Sequence, residues 1–261
     1  MKKIISTLSL LTVLAFTAFS AGNSPITGFY HLTIPAGKMI SAANQMWNGS
    51  DVASSNEDIN QAFQGLFSDS TGRTNAIAHI WNGAGYDTYK YFNAADASTF
   101  FNTTLTNTGF YDQNANLING SLPPGAACYL LNPALVPCTL LVQGFVPVGT
   151  NSVVITPGYN LYSIPLPVST SLASSNAYAN YAGTSDPAGK NNDVIQIWTG
   201  TNYQSYIYFK GSDASTYFNK SGLSSGFYTA TGTPVTITPS IGSGFFIYHA
   251  GTNVTWSTKW P

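Results

Sequence analysis

The sequence predicts an all-β protein: two tandem homologous units, sandwich- or barrel-like, or one pseudo-symmetric body made of both, with minimal helix. Three observations predict it. A long segment of the chain recurs, apolar residues alternate with period two, and Gly, Pro, Asn and Ser gather where turns would fall.

The elements follow in chain order. Met1-Lys2-Lys3 is a short positive start, Ile4 to Phe19 is mostly apolar and uncharged, and Ala18-Phe19-Ser20 offers small residues before a cut. That is the pattern of a secretory signal peptide over 1–20, with a bacterial look, and it implies export. The apolar run is short for a bilayer span, and no later stretch reads as one, so no membrane span is expected after signal removal. Two β-repeat domains are then expected, 21–149 and 150–261.

The duplication sets that division. Ile80-Trp81-Asn82-Gly83 and Tyr86 to Phe92 return as Ile197-Trp198-Thr199-Gly200 and Tyr203 to Phe209, offset by 117 positions. From Ile80 to Asn102, 13 of 23 positions match their partners. A two-residue change of register then sets Cys128-Tyr129 against Ile247-Tyr248, and upstream Ile34-Pro35-Ala36-Gly37 meets Ile155-Thr156-Pro157-Gly158. A period this long denotes whole domains or halves, not a solenoid.

Within each copy, Ala78 and Ile80 alternate with His79 and Trp81, a Gly turn follows, and Tyr89 and Tyr91 alternate with Lys90 and Phe92. This reads as a hairpin, repeated at 195–209. Asp58 to Phe67 predicts a short helix; Asp96 and Asp213, each before Ala-Ser-Thr, predict caps opening single helical turns.

Several strings resemble a known pattern: Pro157-Gly158-Tyr159-Asn160-Leu161, Trp81-Asn82-Gly83, Asn132-Pro133, Thr139 to Gly149, Ile164-Pro165-Leu166-Pro167 and Gly242-Ser243-Gly244-Phe245-Phe246-Ile247. Together they resemble an uncharacterised family of exported β-rich proteins of verrucomicrobial and planctomycete-like bacteria, whose terminal stretch carries a Trp near the position of Trp256. The resemblance implies export and β-architecture. It implies no activity.

Composition removes whole classes of function. Lys plus Arg number 9 and Asp plus Glu 10, for a net charge of −1, and only 7% of residues are charged. No basic excess exists to neutralise phosphates, so nucleic acid is not an expected partner. Hydrophobic residues at 44% and aromatics at 14% suffice for a core. Cys128 and Cys138 are the only cysteines, and export makes a disulfide between them the default, with two free buried thiols as the alternative.

Catalytic motifs are missing. There is no Gly-x-Ser-x-Gly elbow, His-Glu-x-x-His, Walker loop or dinucleotide fingerprint, and His31, His79 and His249 are too scattered for a metal set. Asp96 and Asp213 form a symmetric pair that reads first as equivalent caps. Asp186, Asn191, Asn192 and Asp193 are the densest oxygen cluster but lack a regular calcium spacing. No metal and no cofactor are expected, and whether the chain is an enzyme stays open, leaning to no.

The positive signal is aromatic. Trp81, Tyr86, Tyr89 and Tyr91, with Trp198, Tyr203, Tyr206 and Tyr208, form two equivalent clusters, candidates for stacking on sugar rings or for filling a core. His79, Asp87 and Lys90 stand against Gln196, Gln204 and Ile207, so the first copy has room to specialise. Three readings result: an exported, non-enzymatic surface, matrix or adhesion-type protein; a tandem carbohydrate-binding module using the aromatic clusters; and a secreted hydrolase of unfamiliar type. The partners would be polysaccharide, cell-surface components or the protein itself, at an extracellular or cell-surface location.

Overall fold

The computed structural model describes residues 26–48, 58–147, 149–167, 172 and 183–259, and the expected signal peptide lies outside them. Among the described residues the chain is all-β, with fifteen strands, three short helices and no closed barrel. No helix among them is long and apolar enough to cross a membrane.

The first half holds β1 (Thr27–Ile34), β2 (Lys38–Ala42), α1 (Ile59–Ala62), β3 (Ile77–Trp81), β4 (Tyr86–Phe92), α2 (Ala94–Phe101), β5 (Gly109–Tyr111), β6 (Cys128–Asn132) and β7 (Cys138–Phe145). The second holds β8 (Thr150–Ile155), β9 (Gly158–Ser163), β10 (Val194–Trp198), β11 (Tyr203–Phe209), α3 (Gly211–Tyr217), β12 (Gly226–Tyr228), β13 (Pro234–Val235), β14 (Gly244–His249) and β15 (Val254–Lys259).

Each half repeats one plan. β1 pairs with β7 as a two-stranded ladder, and β2-β6-β3-β4-β5 forms the larger sheet. In the second half β8 pairs with β15, and β9-β14-β10-β11-β12-β13 is the larger sheet. All these pairings are antiparallel.

Period two puts alternate residues inside. Tyr30, Leu32 and Ile34 of β1 and Cys138, Leu140 and Val142 of β7 point inward, meeting Ala78, Tyr91, Phe110, Cys128 and Leu130 of the larger sheet. The second half packs Ile155, Ile195, Tyr208, Phe227, Phe245, Ile247 and Trp256 in the same way. Each half is therefore a small two-sheet sandwich.

The ladders correct the repeat register. His79 pairs with Tyr129 and Gln196 with Phe246, so the offset of 117 continues through β6 and β14. Tyr129 therefore corresponds to Phe246, Cys128 to Phe245 and Asn132 to His249. Similarity of side chains suggested the shifted alignment, but strand pairing fixes which face each residue takes.

The helices are longer or shorter than their signals. α1 is a single turn capped by Asp58, whose side chain accepts from the Asn60 N–H. α2 runs two turns, and its cap is Asn93, not Asp96. Asp96 lies three residues inside, where its carboxylate takes the Asn93 amide and the Ser68 hydroxyl, both at 2.6 Å. Part of this returns in α3, where Ser185 donates to Asp213 at 2.6 Å while the N-cap, Lys210, makes no side-chain capping bond. Each aspartate is bonded at the start of its own helix, Asp96 to Asn93 and Ser68 and Asp213 to Ser185.

The two cysteines are free, which corrects the disulfide expectation. Cys128 pairs with Ala42 at one end of the β2–β6 ladder, while Cys138 pairs with Ile34, beside the turn that leads to Lys38 at the other end. Four residues of extended strand, about 13 Å, separate those ends, well beyond disulfide reach. Both thiols sit in the first core, and burial pushes both pKa values up.

Candidate functional site

Each larger sheet turns one face to its own core and the other towards the opposite half. On that second face Tyr129 and Phe246 meet Ala43, Ala127 and Leu161, with Met39, Trp81 and Trp198 packed alongside. This cluster takes residues from both halves and forms a seam between them.

The seam is reciprocal. The Trp81 indole N–H donates to the Tyr159 carbonyl at 2.9 Å, and the Trp198 indole N–H donates to the Met39 carbonyl at 2.9 Å. Met39 pairs with Leu131, and Tyr159 with Tyr248, so these two acceptors are themselves counterparts. A second reciprocal pair joins the backbones: Ala43 N–H to Gly242 O and Ser163 N–H to Gly125 O, both at 2.8 Å. Such exchange is the signature of an isologous, two-fold contact, here within one chain.

Glycine permits the approach. Gly125 and Gly242 have φ of +101° and +74°, and a Cβ on them would lie 2.6 Å from Val153 and 2.7 Å from Tyr30. Each turn therefore presses on the small ladder of the opposite half.

The rings interlock around the pseudo-axis. Trp81 packs edge-on against Phe246 at 5.4 Å, and its counterpart Trp198 packs edge-on against Tyr129 at 6.3 Å. Tyr86 and Tyr203 touch both Tyr129 and Phe246. The Tyr203 hydroxyl donates to that of Tyr129 at 3.1 Å. Burial, above all, raises the pKa values of Tyr86 and Tyr129.

The eight predicted aromatics thus divide. Trp81, Trp198, Tyr86 and Tyr203 make the seam, the two tryptophans half-buried and the two tyrosines exposed at its rim. Tyr91 and Tyr208 are core residues, and Tyr89 and Tyr206 pack against the edges of the same two cores. The first-copy specialists are engaged internally: His79 with Thr88, Asp87 with Asn82, and Lys90 with the Gly72 carbonyl and the Phe100 ring.

The acidic loops are likewise self-contained. Asp69 takes the N–H and hydroxyl of both Thr71 and Thr74, and hydroxyl bonds first of all hold its pKa well below the usual carboxylate range. Its counterpart Asp186 takes the N–H groups of Ala188, Lys190 and Asn191, which lower its pKa too. Asn192 accepts from the Asp186 N–H and donates to the Tyr208 carbonyl. The Asp186 and Asn192 oxygens, two of the candidate calcium ligands, are thus held by donors of their own loop. No metal-ligating group of three His, Cys, Asp or Glu occurs among the described residues.

One chemically suggestive pair escaped the sequence reading. Asp193 and His249 are buried and joined at 3.0 Å. The imidazole Nε2 faces the Thr252 carbonyl at 2.6 Å, and Asp193 also accepts from the Thr184 and Ala250 N–H groups. With Nε2 occupied by a carbonyl, the ring has no free nitrogen to activate a nucleophile, so the pair ties a turn to the sheet. Fifty-six positions separate the two residues, and neither is repeated in the first half. Comparison with protein-family models, curated proteins and solved structures gives no match.

Proposed function

We propose that this chain is an exported, non-catalytic protein of the surface, matrix or adhesion type, built from two β-halves joined back to back. One observation carries the reading. Asp69, Asp96, Asp186, Asp193, Asp213 and His249, the acidic groups and the buried imidazole of interest, all have hydrogen-bond partners within the fold. What the strands offer to solvent is chiefly Thr, Ser and Gln with a few aromatic and aliphatic side chains, beside single ionisable residues (His31, Lys38 and Asp87) that do not cluster, a surface for contact and not for turnover.

The signal-like N-terminus and the resemblance to exported β-rich proteins support the same reading. The test is adsorption of the mature chain to washed bacterial envelopes, run beside sedimentation velocity. Co-sedimentation with envelopes or concentration-dependent assembly is expected. A strict monomer that stays in the supernatant overturns the proposal.

A further inference from the structure

The outer face of the first small ladder is unlike its counterpart. Because β1 turns Tyr30, Leu32 and Ile34 inward, it turns Phe29, His31 and Thr33 outward, and β7 adds Leu141 and Gln143. Phe29 is 68% exposed and Leu141 47%. Ile34 pairs with Cys138 as Ile155 pairs with Val254, so Phe29, His31 and Leu141 correspond to Thr150, Ser152 and Ser257. There Ser152 and Ser257 simply share a hydrogen bond at 2.8 Å. The fold is satisfied by serine and threonine, so the aromatic and leucine of the first half answer to something other than folding.

Beside this strip lies a cleft of about 590 Å³, in which Phe29 and Leu141 are joined by Asn48, Gln61, Gln64 and Gln143. That volume suits a small-molecule or oligomer subsite. None of its described lining residues is charged. Gln61, Gln64 and Gln143 are exposed, and none of their side-chain amides has a hydrogen bond among the described residues. Each such amide is donor and acceptor at once, matching a hydroxyl, which is both as well.

We propose that this cleft binds a neutral polysaccharide chain, one sugar laying its C–H face on Phe29 while Gln61, Gln64 and Gln143 take its hydroxyls. Neutrality selects the class: an anionic or cationic ligand would enter with its charge uncompensated. The inference rests on the surface-protein reading and names the component bound. The two fail separately, since a chain that adsorbs to envelopes through another face keeps the first and loses the second.

The test is affinity electrophoresis of the full mature chain in gels containing mixed-linkage β-glucan, xyloglucan, galactomannan or dextran, with polygalacturonate as the charged control. Retardation by at least one neutral polymer is expected. Phe29→Ala should weaken it about tenfold and Gln143→Ala less, while Val154→Ala, on the matching face of the second half, leaves it unchanged. Circular dichroism verifies that the variants fold. No retardation by any of the four neutral polymers overturns the proposal, as does equal retardation of Phe29→Ala or stronger retardation by polygalacturonate. Sedimentation velocity supplies the remaining arm: a dimer that Phe29→Ala dissolves, with polymer binding intact, assigns the face to a second copy and sinks the inference.

Discussion

Asn132 and His249 hold the same ladder position in the two halves and secure the same turn by different chemistry. The Asn132 amide reaches the Ile34 and Val136 carbonyls at 3.1 and 2.9 Å. The His249 ring reaches the Thr252 carbonyl and the Asp193 carboxylate. Where the second half has Asp193 and Ala250, the first has Ala76 and Pro133, which has neither the carboxylate nor the N–H that would bond to it.

This exchange makes a paired prediction. His249→Asn or Asp193→Ala alone strands one member of a buried pair and should cost about 3 kcal/mol. The double variant reproduces the first half's Asn and Ala, and should recover about 1–2 kcal/mol of that loss. Urea denaturation of the two single variants and the double variant measures the coupling. Strictly additive losses would show that the halves do not share a solution at this site.

The seam predicts a second effect. Trp81→Phe and Trp198→Phe each remove one indole hydrogen bond, and each should cost about 1 kcal/mol. Alanine at either position also removes the ring contacts with Phe246 or Tyr129 and should cost about 3 kcal/mol. Guanidinium titration reads both. Reciprocity requires the two tryptophans to give similar losses.

The thiols should be silent. Cys128 and Cys138 are expected to react with an aromatic disulfide reagent only after denaturant is added, because burial raises both pKa values and hides both sulfur atoms. Dithiothreitol should leave the melting temperature unchanged. A reduction-sensitive melt would show that the strands bearing them move together.

Acid should loosen the two aspartate-centred turns. Asp69 and Asp186 are held below their ordinary pKa values, so the stability they give is full above about pH 4 and drains as pH falls towards their folded values. Thermal melts should hold steady down to about pH 4 and decline from there to pH 2. Asp69→Asn and Asp186→Asn should each flatten that decline.

The sequence made the repeat, the hairpins and the alternating cores legible because those signals are local or periodic. Trp81 and Trp198 stood out for the same reason. Their acceptors did not, since the Tyr159 and Met39 carbonyls belong to the opposite half and backbone acceptors carry no residue signature. Cys128 and Cys138 are ten apart in sequence, yet the intervening turn delivers them to opposite strand ends. The Phe29 strip was hidden by register: only the β1–β7 pairing shows that Phe29, His31 and Leu141 share an outer face while Tyr30 lies within.

The pseudo-axis also lies within one chain, and that lifts a constraint. In a dimer of identical chains every substitution at the seam appears twice, so a change that helps on one side must be tolerated on the other. Fusion removes that constraint. Tyr129 keeps a hydroxyl where its counterpart Phe246 has none, and Gln45 ties the first half to Ile164 and Gly242 through both ends of one amide. Pro165 stands where a matching Gln would return those bonds. Single-copy changes of this kind make left and right chemically distinct, freeing one half to acquire a surface such as the Phe29 strip while the other serves as its scaffold.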